Sequence, residues 1–87
     1  TQAQFYRSGA GAEVDLVLTL PGGAVWAVEV KHSLAPKVER GFHHACEDLN
    51  PARRIVVYPG TEAFPQGNGI EVLPLHQFGQ ELLAQRI

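Results

Sequence analysis

EVDLVLTL-PGG-AVWAVEVK, residues 13–31, decides the architecture of this chain: two runs that alternate apolar and other residues flank Pro21-Gly22-Gly23. A period of two is the mark of a β-strand, because successive side chains leave the pleat on opposite faces. In the first run Val14, Leu16, Leu18 and Leu20 share one face, while Glu13, Asp15, Val17 and Thr19 share the other. In the second run Trp26, Val28 and Val30 share one face, and Val25, Ala27, Glu29 and Lys31 the other. Each strand thus has a greasy face and a face whose far end carries charge.

The turn decides whether those charges meet. A loop of Gly22-Gly23 alone would set Asp15 opposite Val30 and overlay charged and greasy faces, which a register specified by burial does not accept. A three-residue loop, Pro21-Gly22-Gly23, instead pairs Val14 with Val30, Leu16 with Val28 and Leu18 with Trp26. Hairpin loops of this length with a glycine in the left-handed region are common. The same register puts Asp15 beside Glu29 and Glu13 beside Lys31, gathering three carboxylates and one ammonium at the open end of the hairpin.

Working outward, QAQFYR (2–7) reads as a first strand that pairs with the Glu13 strand to give a three-stranded meander, followed by the turn signal Ser8-Gly9-Ala10-Gly11. After Lys31, Ser33 and Pro36 are helix-start signals. Val38, Phe42, Ala45 and Leu49 then recur at helical spacing, predicting a helix over Pro36–Leu49. Asn50-Pro51 ends it, since the residue before proline disfavours the helical region. Arg53 and Arg54 lead into Ile55-Val56-Val57-Tyr58, a continuous apolar run expected to be an interior strand joined by a right-handed crossover, parallel to the Glu29 strand. Residues 59–69 read as a loop, Ile70–Leu73 as a short strand, and Pro74 opens a closing helix with Leu75, Phe78, Leu82 and Ile87 turned inward. The chain shows no repeat and no internal domain boundary.

At 87 residues, 45% apolar and 18% charged, this is the composition of one small globular domain and not of a disordered segment. No apolar run approaches the roughly 20 residues of a membrane span and no signal peptide opens the chain, so no membrane partner is expected. The single cysteine, Cys46, excludes an internal disulfide and points to a reducing, cytoplasmic home. The absence of methionine suggests a piece of a longer polypeptide. A net charge of −2 supplies no global pull toward nucleic acid.

An acidic residue on one strand and Glu-x-Lys on the next have a specific use. Hard cations such as Mg²⁺ take carboxylate and carbonyl oxygens. Asp15 and Glu29, as cross-strand neighbours about 5 Å apart at the backbone, could reach one ion, and the backbone carbonyl of Val30 could add a third ligand. Lys31, on the same face as Glu29, would stand beside a metal-bound water and could stabilise charge building on a phosphate. As a plain alternative, the same charges make an ordinary strand end in which Lys31 neutralises two acids.

Asp15 followed by Glu29-Val30-Lys31, then a helix and a hydrophobic strand, resembles the PD-(D/E)xK nuclease superfamily. More closely, FYRSGAGAEVDLVL, AVWAVEVKHSLAP, GFHHACEDLNP and RIVVYPG are similar to the domain of unknown function found C-terminal to certain AAA-type ATPases in bacteria and archaea. The resemblance covers nearly the whole chain. It implies a restriction-endonuclease-like α/β fold: a mixed sheet with a β-meander, then a helix, then a parallel strand, closed by a C-terminal helix. It also implies Asp15, Glu29 and Lys31 as catalytic residues, and Mg²⁺ or Mn²⁺ as cofactor, held by Asp15, Glu29 and the Val30 carbonyl. Superfamily members often add an acidic residue from an upstream helix that this sequence does not contain. Glu13 is the extra carboxylate that could substitute, although a cross-strand pair with Lys31 accounts for it equally.

Other groups invite chemistry less strongly. His43 and Glu47 are four apart on the predicted helix and could chelate zinc, but His44 points away and no second cluster with Cys46 completes a tetrahedral site. Lys37, Arg40 and His44 lie along one helical side and, with Arg53 and Arg54, form the one concentrated positive region, where Lys37 and Arg40 could touch a phosphate backbone. Phe5, Tyr6 and Trp26 read as core or interface aromatics, and His32 as a packing or capping residue. The sequence therefore predicts a Mg²⁺-dependent nuclease, or a nuclease-derived module that binds DNA or RNA, attached to an ATPase domain in the parent chain. The alternative is a non-catalytic accessory or oligomerisation module of that ATPase, with homodimer formation through its greasy surfaces.

Overall fold

A computed structural model describes residues 2–7 and 13–85, without the side chains at positions 5–7 and 13–15. Six strands form one mixed sheet: β1 (Gln2–Arg7), β2 (Glu13–Thr19), β3 (Val25–Val30), β4 (Arg53–Tyr58), β5 (Phe64–Gly67) and β6 (Ile70–Pro74). Their spatial order is β1-β2-β3-β4-β6-β5. Two helices complete the fold, α1 (Arg40–Leu49) and α2 (Leu75–Leu83).

The predicted meander is present. β1 runs antiparallel to β2, and β2 to β3, with Leu16 opposite Val28, Val17 opposite Ala27 and Leu18 opposite Trp26. That is the register of the three-residue turn, and its hydrogen bonds explain it. Gly23 N–H donates to Leu20 O at 2.9 Å and Leu20 N–H to Ala24 O at 2.8 Å, closing the loop over Pro21-Gly22-Gly23. Gly22 and Gly23 both take positive φ, 94° and 96°, which a side chain would strain. β4 joins parallel to β3 (Val28 opposite Ile55), and β6 parallel to β4 (Val56 opposite Val72).

Both faces of the sheet are covered. On one, Val17, Ala27, Val56, Tyr58, Ile70 and Val72 pack with Phe42, Ala45 and Cys46 of α1. On the other, Leu18, Leu20, Trp26, Val28, Ile55, Val57 and Leu73 pack with Phe78 of α2. Hence β4, interior and clad on both sides, reads as an unbroken apolar run where a half-buried strand would alternate.

Four expectations are corrected. The first helix begins at Arg40, not Pro36: Glu39 is its N-cap in extended geometry, while Pro36 is buried and its carbonyl accepts from Gln66 Nε2 at 3.3 Å. Ser33 caps only a local bend, accepting from Ala35 N–H at 3.0 Å. The expected 59–69 loop contains β5, an exposed edge strand antiparallel to β6, where Pro65 is tolerated because an edge leaves one row of N–H groups without a ladder partner. Leu75 is 65% exposed because it opens α2 at the strand end, so that helix turns Phe78 and Leu82 inward without it. Ile87 lies outside the described residues. The C-terminal end of α1 follows the sequence: Asn50 adopts the left-handed conformation (φ 47°) and its N–H donates to Cys46 O at 2.8 Å.

Candidate functional site

Glu29 and Lys31 sit where β3 ends. Glu29 follows Ala27 on the α1 face, and at 8% exposure it is the one charged residue buried among those described. The Lys31 ammonium approaches its carboxylate, Nζ to Oε1, at 3.5 Å. Two residues apart on one strand, both side chains leave the same face, which is what Glu-x-Lys was expected to achieve. The strand is held to its last residue and beyond, because Lys31 N–H donates to Val57 O at 2.8 Å. Backbone polarity alternates along a strand, so with Lys31 turned to β4, the carbonyl of Val30 is turned toward β2.

The β2 half of the constellation is placed by backbone alone. Asp15 and Glu13 lie in β2, and their side chains are outside the described residues. The printed ladder ends at Leu16 opposite Val28, one residue short of Asp15 and Glu29. Among the described residues, no three His, Cys, Asp or Glu side chains are grouped closely enough to hold a metal ion.

Cys46 packs near Glu29 from α1. Burial pushes its thiol up to about 11, with a smaller upward contribution from the Glu29 charge and an opposing one from Arg54. The thiol is therefore protonated at neutral pH. Its place is in the core, and the inward stripe of α1 reads Phe42, Ala45, Cys46.

The positive region read from the sequence is divided. Lys37, Arg40 and His44 are exposed beside α1. Arg54 shares the α1 face with Val56, its Nη1 donating to Asn68 O at 3.4 Å. Arg53 leaves the opposite face: its guanidinium lies 4.6 Å from the Trp26 ring centre and donates to both Glu71 oxygens at 2.9 and 2.6 Å and to Glu81 at 2.8 Å. The hydrogen bonds to Glu71 hold Arg53 even more firmly protonated than usual. The Gln77 amide and Arg53 together lower the Glu81 carboxyl below its ordinary range. Period-two geometry in β4 separates adjacent arginines, so Arg53 is a structural tie between β4, β6 and α2, and no part of a phosphate-binding surface. Trp26 is core, as expected; the side chains of Phe5 and Tyr6 lie outside the described residues.

Comparison with known proteins gives a family and no function. The profile of a domain of unknown function, DUF4143, matches residues 1–78. The chain is similar to an uncharacterized protein of Mycobacterium tuberculosis, Rv2008c, at 33% identity over 73 residues, which cover 84% of this chain and 16% of that protein. An uncharacterized protein of Mycobacterium bovis, Mb2031c, matches with the same identity and coverage. The chain thus spans about a sixth of the length of these relatives. No solved structure matches it.

Proposed function

The chain belongs to the DUF4143 family of domains of unknown function, and on that premise we propose that it is a nuclease-type domain of the restriction-endonuclease-like class, acting on nucleic acid with Mg²⁺ or Mn²⁺ within a longer AAA-type ATPase. The observation that carries this reading is the buried carboxylate of Glu29 with the Lys31 ammonium 3.5 Å away at the end of β3. A buried charge is costly, and a neutral residue in place of Glu29 would avoid that cost. If the β2–β3 register continued one step beyond Leu16 and Val28, Asp15 would stand opposite Glu29.

The donor set fits a hard cation. Carboxylates and a backbone carbonyl are the ligands Mg²⁺ prefers, so Asp15, Glu29 and the Val30 carbonyl would hold it, with Glu13 as an additional ligand. When bound, such an ion supplies Lewis-acid polarisation of a phosphodiester and a more acidic water. Lys31 reaches that position with its ammonium group and would stabilise negative charge developing on a phosphate oxygen. Glu29, held between the sheet and α1, fixes where that charge must form. Lys37 and Arg40 flank the start of α1 and are exposed, so their side chains could touch a phosphate backbone, although Glu39 at the N-cap opposes the helix dipole there.

The test is Mg²⁺-dependent cleavage of single- and double-stranded DNA and RNA by wild type, Asp15→Ala and Lys31→Ala. Cleavage by wild type that both variants lose supports the reading; equal cleavage by all three refutes it. A non-catalytic accessory role in the same ATPase is favoured by the exposed Leu34 and Leu83, which would be buried by a neighbouring domain.

A further inference from the structure

At the C-terminal ends of the parallel strands β3 and β4 lies a cleft of about 160 Å³ that the reading above leaves unused. Val30, Val57, Tyr58, Pro59 and Leu75 line it, with Lys31 and His32 completing the wall. Val57 forms a buried floor, whereas Val30 and Leu75 stand 44% and 65% exposed. In sheets with parallel strands, the crevice beyond the carboxyl ends is the usual place for a ligand.

We infer that this cleft receives one unstacked base of a single-stranded nucleic acid whose adjoining phosphate meets Lys31. The inference rests on the nuclease-type reading and names the form of its substrate. Size supports it: a cavity of about 150 Å³ accepts one benzene ring, so the cleft suits a single pyrimidine and not a base pair. Chemistry supports it too. The walls are aliphatic, and His32 is a planar ring of the kind on which bases stack. Charge completes the argument. Lys31 belongs both to this cleft and to the Glu29 pair, so a strand seated here passes a phosphate directly beside the candidate site. The start of α2 adds a positive dipole end, for Leu75 opens that helix and its first turn carries no acid. Among the described residues no carboxylate lines the cleft, and Glu29 stands 3.5 Å from Lys31 Nζ at its edge.

The experiment measures binding by the full chain of three fluorescein-labelled probes of equal length: oligothymidylate, an abasic strand, and oligothymidylate annealed to oligodeoxyadenylate. Fluorescence anisotropy is read with wild type, Leu75→Glu and His32→Ala. The expected result is about tenfold tighter binding of oligothymidylate than of the abasic strand, the order of one stacked base. That preference should vanish in Leu75→Glu and fall in His32→Ala, while the weaker, phosphate-based binding of the abasic strand persists. Equal affinity for thymidylate and abasic strands, or tighter binding of the duplex, overturns the base cleft and leaves the nucleic-acid reading standing. Failure to bind any probe overturns both. If sedimentation shows that Leu75→Glu dissociates a dimer and leaves the thymidylate preference intact, the cleft belongs to a second copy of the chain and the inference fails.

Discussion

Glu29→Gln should separate a carboxylate kept for chemistry from one kept for stability. At 3.5 Å the Lys31–Glu29 pair attracts by about 5 kcal/mol at an effective dielectric of about 20. Against this stands desolvation of several kcal/mol for each ion, so a pair this deeply placed is worth about zero net. Its side chains retain 24% and 11% of their exposure, Lys31 the larger share, so Lys31 can turn to water when its partner is neutralised. Glutamine keeps the shape of glutamate and needs no desolvated charge. The variant should therefore unfold within about 1 kcal/mol of wild type, a Tm change of at most about 4–8 °C for a domain of this size. Trp26, the one tryptophan and buried in the sheet, reports unfolding in urea by fluorescence. Metal-dependent activity should be lost in the same variant. Destabilisation by more than about 2 kcal/mol would make Glu29 a structural ion-pair partner and refute the reasoning.

Arg53→Ala should cost about 2 kcal/mol, because it removes charge-assisted hydrogen bonds that are only part-buried and leaves Glu71 and Glu81 facing one another; the Trp26 emission should shift as its stacked cation is lost. Glu81 has its pKa lowered by folding, so its contribution to stability is present above the unfolded value of 4.5 and disappears as the pH falls through the folded one. Urea midpoints between pH 6 and 3 should accordingly fall less steeply in Glu81→Gln than in wild type. Cys46 has its pKa raised by folding, so its contribution is complete below pH 9.0 and is lost as the pH rises toward about 11. Native protein at neutral pH should resist a thiol reagent that labels it at once in urea.

The hairpin was legible because two independent signals agree on it: burial patterning sets which faces may overlap, and Pro21-Gly22-Gly23 offers a turn that satisfies the pattern. The continuous apolar run of β4 announced its interior position for the same reason. The start of α1 was not legible, since Pro36 and Ser33 are genuine helix-start residues that the structure uses differently, in a buried extended segment and a local bend. β5 has four exposed residues and no alternation, and the edge it forms is created by β6 rather than by its own sequence. One signal for it did exist: Asn68-Gly69, with φ of 55° and 76°, is the two-residue hairpin turn favoured by right-handed strand twist. The opposite destinations of Arg53 and Arg54 were also available, from the period of the strand they begin. For the candidate site, spacing alone put Glu29 and Lys31 on one face. That Glu29 would be buried required knowing that α1 closes over that face.

Titration of Mg²⁺ and Mn²⁺ into the protein, followed through its backbone amide signals, is the most direct test of the central claim. The account predicts saturable shifts at Asp15, Glu29 and Val30 with Mg²⁺, and line broadening there with Mn²⁺, both lost in Asp15→Ala. Unchanged spectra at millimolar metal, in this chain and in the longer protein that carries it, would contradict the metal site and with it the nuclease reading.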